Sequence, residues 1–231
     1  MRYNLLLTMA AAAGLMLGSC NKSDSSKNAT GQPQLSYQLK AVNNSSGLQH
    51  KSTAGATILW TAGYANPKMV KFEATKDDTK IELTSTAHVQ IDLMAPVSVA
   101  FGGFELPAGT YDEIELKILL DRDGSTPAME LDGTFTASNG TTYPVVLRIN
   151  QELMIKTEQH NVTFHTGDAF TAVTTFDLND ISGSITETML LNATLTNGTI
   201  VISSDSNKAL YYMLLSNFVN RFHHCDFDHD D

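Results

Sequence analysis

The sequence predicts a mainly β protein, a β-sandwich or barrel packed by one C-terminal helix. Three observations carry that expectation. Apolar residues alternate with polar ones at period two along most of the chain, turn-forming pairs recur at close spacing, and one late stretch switches to helical spacing.

In chain order, residues 1–19 come first and have the parts of a secretory signal. Arg2 supplies positive charge, and Leu5, Leu6, Leu7, Met9, Ala10–Ala13, Leu15, Met16 and Leu17 give a short apolar run. The run is shorter than the roughly 20 apolar residues of a permanent membrane helix. It ends in Leu17-Gly18-Ser19-Cys20, which resembles the lipobox of bacterial lipoproteins. The resemblance implies cleavage before Cys20, a diacylated Cys20 thiol, and acylation of the new amino terminus with chains such as palmitate. Two or more chains make a stable anchor where one is marginal. By analogy with lipoprotein sorting, Asn21 after Cys20 fits a Gram-negative outer membrane; the side it faces stays open.

Residues 20–34 are then the lipidated cysteine and a polar, small-residue tether. Fully extended, it reaches up to about 50 Å.

Strand signals begin at Leu35 and continue to the helix. Ile81 and Leu83 alternate with Glu82 and Thr84; Val89, Ile91 and Leu93 alternate with Gln90 and Asp92. Ile114, Leu116, Ile118 and Leu120 stand opposite Glu113, Glu115 and Lys117, and Val145, Leu147 and Ile149 share a face away from Arg148. Turns are expected at Pro107-Ala108-Gly109, Asp123-Gly124, Asp132-Gly133, Asn139-Gly140, Gly167-Asp168 and Asn197-Gly198. A helix is expected over about 206–222, capped within Ser204-Asp205-Ser206. Its stripe is Leu210, Leu214 and Phe218, widened by Tyr211, Leu215, Val219 and Phe222. No linker divides 35–222, so this is one domain, followed by an acidic tail, 223–231.

A second resemblance lies in Phe104-Glu105-Leu106-Pro107-Ala108-Gly109-Thr110-Tyr111 and its following strand, and in Thr175-Phe176-Asp177-Leu178. Both are similar to turn and strand-end patterns of β-sandwich domains of unknown function in Gram-negative envelope lipoproteins. This implies an immunoglobulin-like or transthyretin-like β-sandwich with one C-terminal helix. It implies no reaction, since fold alone does not supply function.

Charge narrows the partners. The net charge is −10 and becomes −11 once Arg2 leaves with residues 1–19. No Lys/Arg patch is visible, which argues against nucleic acid. Of two cysteines, Cys20 is assigned to lipid, so Cys225 lacks an intrachain partner and the domain must stand on its core.

The chemistry-bearing segments are few. His223, Cys225 and His229 in the tail, with Asp226 beside them, offer imidazole, thiolate and carboxylate to a transition metal. The plainer reading is a solvated acidic tail. Asp121-Arg122-Asp123-Gly124-Ser125-Thr126 is oxygen-rich like a calcium loop, but its Gly is misplaced and a hairpin turn explains it better. Trp60 with Tyr37, Tyr64 or Tyr143 would make a sugar-stacking platform if exposed, and core if not. No Gly-x-Ser-x-Gly, His-Glu-x-x-His or phosphate-cradling glycine loop occurs. The expected function is a non-enzymatic, membrane-anchored module binding a protein or glycan. The alternatives are a metal-binding lipoprotein using the tail, and a hydrolase with a carboxylate pair.

Overall fold

The computed structural model describes residues 31–42, 58–97, 100–221 and 225–229. The expected export signal, Cys20, most of the expected tether and His223 lie outside them. The chain opens with β1 (Gln34–Val42), β2 (Ile58–Ala65), β3 (Pro67–Lys76), β4 (Thr79–Thr86) and a short β5 (Ile91–Asp92). There follow β6 (Gly103–Glu105), β7 (Gly109–Leu120), β8 (Met129–Thr136), β9 (Thr142–Ile149), β10 (Leu153–Phe164) and β11 (Ala169–Asp177). The described chain ends with α1 (Leu178–Ser182), α2 (Glu187–Leu191), β12 (Leu195–Thr196), β13 (Thr199–Ile202), α3 (Lys208–Arg221) and β14 (Cys225–His229).

The protein is mainly β, with a C-terminal helix, as its alternation predicts. The strands form three sheets, ordered β14-β11-β1-β6, β10-β7-β3-β4 and β12-β13-β9-β8-β2-β5. Most neighbours are antiparallel, but β1 runs parallel to β11 and β13 parallel to β9. The first two sheets meet through edge-to-face and tilted aromatic contacts linking Tyr37, Phe104, Phe72, Tyr111, Phe164 and Phe170. Such rings add to the hydrophobic burial that holds sheets face to face.

Asn66 is the corner between sheets. It alone separates β2 from β3, and it is buried. Its amide nitrogen Nδ2 donates to the Pro127 carbonyl at 2.7 Å, its backbone N–H donates to Ala128, and its carbonyl accepts from Asp121. A polar residue is tolerated there because its groups are bonded.

Expected turns mostly form as their chemistry requires. Asn197 and Gly198 have φ of 50° and 82°, the paired positive values of a two-residue hairpin, here between β12 and β13. Asn139-Gly140 joins β8 to β9, with the Asn139 side chain accepting from Thr141 N. One hairpin lacked a glycine signal: Asp77 and Asp78, φ 48° and 59°, turn β3 into β4.

Three expectations need correction. Asp132-Gly133 is not a turn but lies inside β8, where Gly133 pairs with Trp60 on one side and Val145 on the other. A Cβ on Gly133 would stand 2.7 Å from the Leu59 carbonyl oxygen and 2.9 Å from the Trp60 ring, so glycine is there for space. The 89–93 alternation yields only β5: Ile91 and Leu93 are buried, but Val89 is exposed. Just past β5, Leu93 still bonds β2, its N–H donating to Gly63, while its carbonyl turns to accept from Ala41 of β1.

The helix is four turns long as expected but starts at Lys208. Ser203 Oγ accepts the Asp205 and Ser206 amides, closing a turn ahead of it. Asn207, φ 51°, then opens the helix by accepting from Tyr211 N, while its side chain binds Thr194 and Val201. Leu210, Tyr211, Leu214 and Phe218 are buried, with Phe218 edge-on to Phe176. Val219, expected in the stripe, is 53% exposed, and Phe222 lies outside the described residues.

Two side-chain hydrogen bonds hold the Pro107-to-Tyr111 turn. The buried Tyr111 hydroxyl donates to the Pro107 carbonyl at 2.6 Å, and Lys76 Nζ donates to Ala108 O at 2.6 Å above the ring. Tyr111→Phe is expected to destabilise the fold by about 1 kcal/mol. The check is a lower urea midpoint at unchanged slope.

Candidate functional site: a charge-laddered sheet face

The sheet β10-β7-β3-β4 buries one face and presents the other to water. On the wet face, pairing places Glu82, Glu73, Glu115 and Glu158 in one row across the four strands. Two residues along, Thr84, Lys71, Lys117 and Lys156 form the next row. Like charges directly opposite repel, so neither row would be favourable alone. The lysines resolve this by each straddling two carboxylates. Lys71 Nζ lies 2.5 Å from Glu73 and 3.2 Å from Glu82. Lys117 reaches Glu73 at 3.0 Å and also Glu115; Lys156 reaches Glu115 and, at 3.5 Å, Glu158.

This interleaving sets the electrostatics. Hydrogen bonds from Lys71 and Lys117 hold the Glu73 carboxyl at about 2. Burial pushes Glu115 upward, but Lys117 and Lys156 together outweigh it and leave it lowered. The carboxylates in turn raise all three lysines, Lys71 through Glu73 first and Lys117 and Lys156 through Glu115 first. A carboxyl held below its ordinary 4.5 contributes stability that is present above that pH and lost as pH falls toward 2. Glu73→Gln is therefore expected to flatten the acid limb of urea midpoint against pH. At neutral pH its cost should stay within about 1 kcal/mol, because the pairs are solvated and Lys71 and Lys117 keep Glu82 and Glu115.

One end of the ladder is different. His160 on β10 lies directly opposite Glu113 on β7, and Glu158 is two residues away on the same face. His160 Nε2 is 3.1 Å from Glu158 Oε1, and one ligand atom from each of the three side chains lies within 4.8 Å of the others. All three residues are exposed. Sequence reading placed Glu113 on a wet face but singled out neither His160 nor this grouping.

The tail is not the free extension its composition suggests. Cys225–His229 forms β14, antiparallel to β11, with Thr174 opposite Cys225 and Phe170 opposite His229. The outer edge of β11 offers unpaired backbone groups, and β14 satisfies them. At the rise of a strand, Cys225 and His229 have Cα atoms roughly 13 Å apart. Joint ligation of one ion by both therefore requires the strand to leave β11. The third candidate ligand, His223, is outside the described residues.

The aromatic platform does not form: Trp60 is 2% exposed and Tyr37 fully buried, while Tyr143 stacks on Phe135. Trp60 and Tyr37 are core. The calcium-like segment is a tight turn, with Asp123 and Thr126 exchanging backbone hydrogen bonds, Gly124 at φ 59° and Lys68 3.0 Å from Asp123. Its twelfth position, Asp132, is in β8.

Carboxylates also meet on β8. Glu130 accepts from Arg148 Nε at 2.6 Å, and burial followed by the Glu130 charge raises Asp132. Neither of two surface cavities opens on this pair. One, about 360 Å³, lies between α2 and α3 and is lined by Met189, Leu210 and Met213; the other, about 350 Å³, lies between β10 and α3 and includes Glu158 as its one carboxylate. Among the described residues, no helix is long and apolar enough to cross a membrane. Compared with known proteins, the chain matches no family model, no curated protein and no solved structure.

Proposed function

We propose that this protein is a lipoprotein anchored through Cys20 in the cell envelope, on the outer membrane, and that its β domain is a non-enzymatic binding or structural module. The observation that carries this reading is Leu17-Gly18-Ser19-Cys20 at the end of a short apolar run. A supporting one is spacing: the first described strand begins at Gln34, the residue at which the polar tether was expected to end. The lipid chains hold the protein at the bilayer and the tether lets the domain work away from it.

The ladder face is the surface to which we assign partner contact. Its mixture of ammonium and carboxylate rows suits a charged protein surface, because complementary charge patterns set orientation and encounter rate. With Trp60 and Tyr37 in the core, a protein partner is favoured over a glycan stacked on those rings. Metal binding by His223, Cys225 and His229 stays as the alternative, now coupled to release of β14.

Fractionation tests the anchoring. Wild-type protein should sediment with membranes, resist high salt and enter the detergent-rich phase on phase separation. Recovery of the wild type in the aqueous, unsedimented fraction would contradict the reading.

A further inference from the structure

We propose that Glu113, Glu158 and His160 form a Zn²⁺ site on the wet face of the β7–β10 pair, separate from the tail. The donor set is one imidazole and two carboxylates. Zn²⁺ accepts such a set, with water at a fourth position; imidazole is a poor ligand for the hard cations Ca²⁺ and Mg²⁺.

The backbone fixes the grouping. His160 and Glu113 are directly cross-strand, and Glu158 precedes His160 by two residues, within a pairing that runs from Leu153 to Phe164. Directly opposed residues have Cβ atoms about 5 Å apart, and this register is set by the buried Ile114, Leu116 and Ile118 on the reverse face. Ligand atoms already within 4.8 Å need only rotamer adjustment to close on one ion, and exposed side chains are free to make it.

Charge points the same way. Elsewhere on the ladder every carboxylate faces a lysine, but the Glu113 side chain has no hydrogen bond or ion pair among the described residues. Its neighbour on β3 is Thr75, which brings no charge. Glu158 holds Lys156 only at 3.5 Å, and Lys156 keeps Glu115 if Glu158 turns to the metal. A cation at this end completes the alternation that the lysines supply elsewhere.

The test is calorimetric titration of the detergent-solubilised full chain with Zn²⁺. A second background carries His223→Ala, His224→Ala, Cys225→Ser and His229→Ala, which removes the tail's imidazole and thiol donors. One Zn²⁺ per chain should bind in that background. His160→Gln and Glu113→Gln, each at an exposed position, should weaken it by about tenfold or more. Metal-free thermal melts of these variants should match their parent, which separates ligand loss from misfolding. Affinity unchanged by His160→Gln, or Zn²⁺ binding that disappears with the tail substitutions alone, would overturn the proposal.

Discussion

Trp60→Ala is expected to lower the free energy of unfolding by about 3–5 kcal/mol, the cost of removing a large aromatic from a close-packed core. Trp60 is the largest fully buried side chain of the domain and projects inward from β2. Its ring rests against the backbone of Gly133 on β8, where pairing between the strands shifts register at Trp60 and Ala62. No neighbouring side chain can fill the space from that direction, because Gly133 has none. The converse change, Gly133→Val, should also destabilise, since its Cβ meets backbone at Leu59 as well as the indole. Urea unfolding followed by far-ultraviolet circular dichroism reads both without relying on indole fluorescence. A loss below about 1 kcal/mol for Trp60→Ala would mean a solvent-facing ring, and would reopen the sugar-stacking reading.

The second large effect is on location. Cys20→Ala should move the protein from essentially all membrane-bound to essentially all released. Each buried methylene contributes about 0.8 kcal/mol, and one chain of myristoyl length binds only marginally. In the proposed anchoring, membrane attachment is thus a property of several chains that would depend on the Cys20 thiol and on cleavage before it. Among the described residues, no helix is long and apolar enough to cross a membrane in its place. The released domain should keep its circular dichroism spectrum, because the described core lies wholly beyond residue 31. Membrane retention of Cys20→Ala after high-salt washing would place the anchor elsewhere.

Much of the fold was legible because the core is periodic. Ile114, Leu116, Ile118 and Leu120 are all buried, as are Val145, Leu147 and Ile149, where alternation alone put them. Asp132-Gly133 misled because the pair has turn chemistry, while its glycine answers a steric demand from a strand distant in sequence. The tail misled through composition. Cys225, Phe227 and His229 alternate with Asp226 and Asp228, a strand pattern masked by the residue types that carry it.

The ladder was half visible. Lys71-x-Glu73, Glu115-x-Lys117 and Lys156-x-Glu158 repeat a charge pair at strand spacing, with its order reversed on β7. That reversal is what antiparallel neighbours need to bring like residues into rows. What no single strand reveals is the register that aligns them, and register is decided by the buried face and the turns. Glu113 and His160, 47 positions apart in the chain, meet for the same reason.

The lipid anchor is the claim on which location and function both rest, and the mass of the N-terminal peptide from membrane-purified protein tests it most directly. The account predicts a mature peptide that begins at Cys20 and carries a diacylglyceryl thioether together with an acyl chain on its amino group. A peptide beginning elsewhere, or an unmodified Cys20, would contradict it.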